Sequence, residues 1–153
     1  LAKDMGLQVD KAILVTDTLQ TSDPRIYAVG ECVQHRGALF GLVAPLFEQA
    51  KVCANHLAEM GIATFTQKPT ATTLKVTGVN LYSAGDFSGE GSDSVILRDV
   101  ERSSYKRLFF KNEKLVGAVL YGDTQDGVAY FELIQNSTTV THLRDQLIFG
   151  VAV

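Results

Sequence analysis

Apolar and polar positions follow two rhythms along this chain. Over residues 42–60 the rhythm is helical. Leu46, Ala50, Cys53 and Leu57 fall on one face, with Glu48, Lys51, Asn55 and Glu59 on another. Pro45 suits the first turn, where its missing N–H costs nothing, and Gly61 supplies a stop. Upstream, Asp23-Pro24 is turn chemistry, and residues 26–29 form a short apolar run that reads as a strand buried on both faces. Gly30 then permits a tight turn, with Glu31 where that strand ends. Residues 11–15 read as another short strand, and residues 1–8 as the end of a helix stopped by Gly6.

Past the polar stretch 64–73, which contains Pro69, the rhythm becomes that of strands. Residues 73–76, 79–83, 94–99, 104–111 and 115–121 are strand-like, with a glycine-rich loop over 85–93 and a hairpin turn over 111–114. The consecutive Leu108, Phe109 and Phe110 predict a strand covered on both faces. Asp123 is placed to cap a helix whose buried side carries Val128, Phe131 and Ile134 (or Gln135). A last short helix, capped by Thr139 or Thr141, carries Leu143 and Leu147. Strands followed by helices predict an α+β module, with the helices on one face of an antiparallel sheet. The expected division is residues 1–62 and 63–153.

Composition narrows the function classes. The chain has 153 residues, enough for a real core in one domain or two small ones. A net charge of −3 and the lack of any Lys/Arg block argue against a nucleic-acid or anionic-membrane partner. No apolar run is long enough to span a bilayer, and no signal peptide opens the chain. Cys32 and Cys53 form no C-x-x-C pair and cannot hold a metal or iron–sulfur cluster by themselves. They are expected to be free thiols in a cytoplasmic protein, with Cys53 a small buried hydrophobe.

The candidate chemistry is binding rather than bond-making. Ligands in open α/β sheets collect at the carboxyl ends of strands, so Glu31 is placed to accept hydrogen bonds from a ligand hydroxyl. A helix starting near Val43 or Ala44 leaves its first N–H groups free and presents the positive end of its dipole. His35 has no acid, nucleophile or metal partner at a telling spacing, and Ser83 and Asp86 have no histidine for a hydrolytic triad. Gly85, Gly89 and Gly91 precede no G-K-[ST], so they form no phosphate-cradling loop, and a G-x-G-x-x-G fingerprint is absent. No catalytic or metal-ligating residue is assigned.

Thr21, Ile26, Tyr27, Ala28, Val29, Gly30 and Glu31 resemble the last flavin-binding motif of the FAD-dependent pyridine nucleotide oxidoreductases. That motif mostly ends in Asp, so Glu31 is a departure. The continuation through His35, Arg36 and Gly37, then residues 41–50, is most similar to the large subunits of NAD(P)H-dependent siroheme nitrite reductases. Residues 74–86 and 115–123 resemble that family's C-terminal domain, so the likeness covers nearly the whole chain.

The resemblance implies that residues 1–62 end a flavin domain, with Gly30, Glu31, Val43, Ala44 and Pro45 against FAD and Glu31 on its ribityl chain. His35 and Arg36 would brace the cofactor turn. Residues 63–153 would be an interface domain, packing on the rest of the flavoprotein and joining copies of it. NAD(P)H would be the parent's substrate, and any iron–sulfur cluster and siroheme would lie outside this chain. Opening on Leu1, the chain reads as a piece of a longer polypeptide, inactive alone. The alternatives are a non-catalytic interface module, or part of a rubredoxin or ferredoxin reductase or an NADH oxidase.

Overall fold

Leu108, Phe109 and Phe110 are all nearly solvent-free, at 0%, 3% and 3% exposure, so the strand that carries them is covered on both faces as its sequence predicts. It is β7 (Ser104–Lys111) of a five-stranded antiparallel sheet in the order β4-β5-β8-β7-β6. The other strands are β4 (Ala71–Val76), β5 (Val79–Gly85), β6 (Asp93–Asp99) and β8 (Lys114–Tyr121). The computed structural model describes residues 1–150 and, at Lys75, the backbone alone. The chain divides into a unit Leu1–Lys68 and a unit Pro69–Val153.

In the second unit, Leu108 and Phe110 face a core shared with Tyr82, Leu115, Leu120 and Tyr130. Helix α2 (Gly127–Gln135) lies over β8 and β5, and α3 (Arg144–Leu147) adds Leu147 to the same core. Phe109 points the other way, beneath the Arg107 guanidinium at 4.6 Å and beside Gly89 of the loop after β5. A bulge between Phe109 and Phe110 shifts the β7–β8 register. The Val116 carbonyl there accepts the Asp86 N–H at 2.8 Å. Gly117 must be glycine, because a Cβ would run into the Asp86 carbonyl. Asn112 and Glu113, with φ of 49° and 61°, make the two-residue turn that joins β7 to β8.

Several expectations for this unit need correction. Helix α2 starts at Gly127, not at Asp123; its N-cap position is Asp126, which makes no capping hydrogen bond. The Asp123 carboxylate is engaged elsewhere, by the Gln125 N–H and the Lys106 ammonium. Ile134 is buried and Phe131 packs partly buried on the core, as expected, but Val128 is 65% exposed and Tyr130 takes the buried side with them. Neither Thr139 nor Thr141 caps α3; Thr139 bridges to Lys114, and Leu143 stands exposed at the N-cap position.

The first unit holds a three-stranded sheet in the order β1-β2-β3 and one long helix. Strand β1 (Ile13–Val15) runs parallel to β2 (Val33–His35), which pairs antiparallel with β3 (Ala38–Leu39). Helix α1 (Val43–Leu57) packs Val52 and Cys53 onto Leu19, Val33, Phe40 and Phe65. The fold is α+β, with the five-stranded sheet antiparallel and carrying two helices, as expected. Gly6, with φ of 78°, ends a single helical turn: the Leu7 N–H reaches the Ala2 carbonyl and the Gly6 N–H reaches that of Lys3.

Residues 26–29 are not a strand. Tyr27 makes one isolated bridge to Gln20, while the Thr21 N–H donates to Ile26 and the Ala28 N–H to Leu19. The run therefore pairs with a local loop, turned by Leu19 at φ 64°, and the sheet strand follows it at Val33.

Helix α1 also departs from its predicted phase. Its buried residues are Gln49, Val52 and Cys53, whereas Leu57 is 65% exposed and Ala50 is exposed too. Its αL stop is Glu59 at φ 59°, ahead of Gly61.

Candidate cofactor-facing turn and helix start

The turn before Gly30 is organised by short polar side chains. The Thr21 hydroxyl donates to the Asp23 carbonyl at 3.0 Å and accepts the Asp23 N–H at 3.2 Å. Asp23 takes the backbone N–H of Arg25 at 2.9 Å, and both its oxygens take the Arg25 guanidinium. Those hydrogen bonds from Arg25 hold the Asp23 carboxyl down at about 2.

Gly30 follows at φ 104°, where glycine alone is relaxed, although there is open space where a Cβ would go. Its N–H donates to Gln49 Oε1 at 2.8 Å. Gln49 is fully buried, and its Nε2 has no hydrogen-bond partner among the described residues. Because an N–H can only meet the carbonyl end of the amide, the Gly30 bond fixes which way this carboxamide points. Gln49 thus ties the turn to the second turn of α1, roughly 9 Å along the axis from the helix start.

Glu31 does not sit at the end of a strand. It occupies the turn closed by the Val33 N–H on the Gly30 carbonyl at 3.3 Å, two residues ahead of β2. Its carboxylate is exposed and forms no hydrogen bond or ion pair among the described residues. Val43 and Ala44 are exposed at the start of α1, Pro45 is half-buried, and the helix has no capping side chain and no acid in its first turn. The N–H groups there are free to meet an external acceptor, and Pro45 contributes none. The structure thus links the Gly30 turn to α1, leaving an acceptor at Glu31 and donors at Val43 and Ala44 both turned to solvent.

The residues after Glu31 form a hairpin tied back to Asp17. Arg36 and Gly37, with φ of 49° and 87°, form the two-residue turn between β2 and β3. Arg36 returns to Asp17 with two hydrogen bonds, of 2.9 and 2.6 Å. His35, 1% exposed, holds the same carboxylate through Nε2 at 2.8 Å and sets its ring edge-on to Phe65 at 5.0 Å. The hydrogen bonds of Arg36, then of His35, hold the Asp17 carboxyl at about 2. Asp17 Oδ1 thus serves both side chains, and His35 Nδ1 is buried without a partner among the described residues.

Gln49 and Asp17 went unmarked in the sequence. A polar residue in phase with Leu46, Val52 and Cys53 was the available sign for Gln49. Asp17 lies 18 residues from His35 and carried no local sign.

Cys32 and Cys53 are free; burial pushes the Cys53 thiol up, which suits a packed thiol and not a reactive one. Among the described residues no group of His, Cys, Asp and Glu is arranged to hold a metal ion.

Residues 70–138 match the family described as the rubredoxin NAD+ reductase C-terminal domain. The matched residues take in the five-stranded sheet and α2, while the likeness to known proteins extends beyond them.

The chain is 41% identical over 142 residues to the nitrite reductase [NAD(P)H] of Bacillus subtilis (strain 168), covering 92% of this chain and 18% of that protein. It is 38% identical over 154 residues to the nitrite reductase (NADH) large subunit of Escherichia coli (strain K12), covering 97% and 18%. It thus spans under a fifth of the length of these relatives. A solved FAD-dependent pyridine nucleotide-disulphide oxidoreductase from Desulfovibrio vulgaris matches with a TM-score of 0.71 at 25% identity, over 97% of this chain and 42% of that one. The likeness to FAD-dependent pyridine nucleotide oxidoreductases expected from residues 21–31 is found, and nitrite reductases stand among the relatives.

Proposed function

We propose that this chain is part of an NAD(P)H-dependent flavoprotein reductase of the nitrite reductase type. Its first unit forms one wall of the FAD site, and its second unit forms an interface domain. The observation that carries the reading is the Gly30–Gln49 hydrogen bond at 2.8 Å, which couples the Glu31 turn to α1. The donor set suits a flavin: a free carboxylate for a polyol hydroxyl, and a helix start whose positive end favours negative charge on a reduced ring.

FAD bound there would supply the redox chemistry, with NAD(P)H as hydride source and a metal centre held elsewhere as electron acceptor. This chain's residues position it. Glu31 would accept a hydrogen bond from the ribityl chain, the N–H groups of Val43 and Ala44 would meet the ring, and Pro45 would shape the helix start. Asp17, His35 and Arg36 keep the hairpin after the turn rigid.

With no G-x-G-x-x-G loop in the sequence, the 153-residue chain is expected to purify without colour. A stoichiometric flavin absorbance band would overturn that. In the full-length protein, Glu31→Ala is expected to lose FAD on gel filtration; retained flavin would remove Glu31 from the site.

A second reading follows from the match of residues 70–138: a reductase whose acceptor is a rubredoxin-like protein. NAD(P)H oxidation by the full-length protein, with nitrite or with a rubredoxin as acceptor, separates the two.

A further inference from the structure

Gly30 is pinned on both sides, while the residue after it is free. Its N–H donates to Gln49 Oε1 at 2.8 Å, and its carbonyl accepts the Val33 N–H at 3.3 Å. Just upstream, the Ala28 N–H is held by the Leu19 carbonyl at 3.1 Å. Glu31 is exposed and makes no hydrogen bond or ion pair among the described residues. The place of its carboxylate is therefore set through the Gly30 backbone, not by contacts of its own. Gln49 sits on the same helix as the free N–H groups of Val43 and Ala44, six and five residues after them. A helix keeps such positions about 9 and 7.5 Å apart along its axis. The Gly30–Gln49 hydrogen bond thus fixes the distance between an acceptor on the turn and donors at the helix start.

Gln49 is not the residue that packing alone would favour there. It is fully buried, and its Nε2 has no partner among the described residues. A buried donor left unpaired is destabilising, and a methionine of similar shape would avoid it. What methionine lacks is an acceptor for the Gly30 N–H. Packing at Gly30 gives no substitute, since nothing lies within 4 Å of where a Cβ would stand.

We propose, resting on the flavin reading above, that Gln49 is a positioning residue for the cofactor. Through Gly30 it holds the Glu31 carboxylate in register with the Val43 and Ala44 N–H groups, so that one FAD meets both. Two contacts to one ligand reinforce each other only when their separation matches that of the ligand's groups. The acting atom is Oε1, and Nε2 is the spare end of the amide.

The test is FAD affinity in the full-length protein, measured by titrating FAD into the flavin-stripped form and following flavin fluorescence. Gln49→Met removes the acceptor and should weaken FAD roughly tenfold, the scale of one lost hydrogen bond. Gln49→Glu keeps an acceptor for the Gly30 N–H without the spare donor, and should bind FAD as the wild type does. Added to Glu31→Ala, Gln49→Met should weaken FAD no further, because the group it acts through has gone. Urea midpoints of the same samples establish that each variant is folded during the titration. Wild-type affinity in folded Gln49→Met would overturn the proposal. So would a second tenfold loss on top of Glu31→Ala, which would give Gln49 a role independent of Glu31. If Gln49→Met does not fold, Gln49→Glu carries the test: retained affinity supports the role of Oε1, and lost affinity in a folded protein overturns it. The two readings fail separately. A full-length wild type that takes up no FAD sinks the proposed function. A wild type that binds FAD, with a folded Gln49→Met variant that binds it equally well, sinks the role of Gln49 alone.

Discussion

The two units differ in the polar groups that they bury beside their apolar cores. In the second, the sheet and α2 enclose a core whose largest members, Tyr130, Leu108, Leu115 and Leu120, are at most 1% exposed. Even its buried cation is matched. Lys106, 4% exposed, donates to Asp126 at 2.7 Å and to Asp123 at 2.9 Å. Burial works against the ammonium, but the hydrogen bonds to Asp126 and Asp123 outweigh it and leave its pKa raised. The first unit encloses Leu19, Val33 and Phe65 as fully, but buries polar side chains among them, Gln34, His35 and Gln49. Both units leave large apolar side chains in solvent, Val100, Val128 and Phe149 in the second among them, so the contrast lies in the buried polar groups: the buried cation of the second unit is paired, whereas Gln49 Nε2 and His35 Nδ1 of the first have no partner among the described residues.

The largest expected effect tests the apolar side of that comparison. Leu108→Ala should destabilise the second unit by about 3–4 kcal/mol, because Leu108 is fully enclosed. Phe47→Ala, removing a larger side chain, should leave the stability of the 153-residue chain within about 0.5 kcal/mol. Urea denaturation of both variants measures this; equal losses would mean that Phe47 already has a packed partner.

Next is Gln49→Leu, which strips the Gly30 N–H of its acceptor and should cost the first unit about 1–2 kcal/mol. Removing the unpaired Nε2 at the same time offsets part of that cost. An unchanged urea midpoint would show that the turn is held without Gln49.

A smaller effect depends on pH. The Asp17 carboxyl is lowered from 3.8 to about 2 by Arg36 and His35. Its pairing therefore stabilises the first unit fully above pH 4, roughly, and that contribution is lost as pH falls toward 2. Asp17→Asn should flatten the fall in urea midpoint over that window. Identical pH profiles for the two proteins would separate Asp17 from acid unfolding.

The smallest change is a gain. Glu59 ends α1 at φ 59°, and Glu59→Gly should relieve the strain and stabilise by about 0.5–1 kcal/mol, readable as a rise in Tm. A lower Tm would mean that the glutamate side chain does more than occupy the cap.

Much of the second unit was legible from the chain alone. Strand β7 lies where predicted, its neighbours begin or end within two residues of expectation, and the Lys111–Lys114 turn is where the polar break suggested. Hairpins and alternating strands are local, so adjacent residues carry their signals. The extent of α1 was legible for the same reason. Its phase was not: Ala50 and Leu57 were as apolar as the residues that pack, and the fold buried Gln49 because the Gly30 N–H needed an acceptor. Residues 26–29 carried a strand-like pattern but found a loop partner at residues 19–21. Of the candidate site, Gly30, Glu31, Val43, Ala44 and Pro45 could be named beforehand, but not what supports them.

By itself, then, the sequence determined the alternating strands, the long helix, the glycine turn before Glu31 and the likeness to flavin-dependent oxidoreductases, since each is written in residues close together. Tertiary structure alone decided which side of α1 is covered, that Gln49 reaches back 19 residues to Gly30, and that His35 and Arg36 meet at Asp17. Those outcomes depend on which distant groups compete for the same space and the same hydrogen bonds, and that competition is settled only when the chain folds.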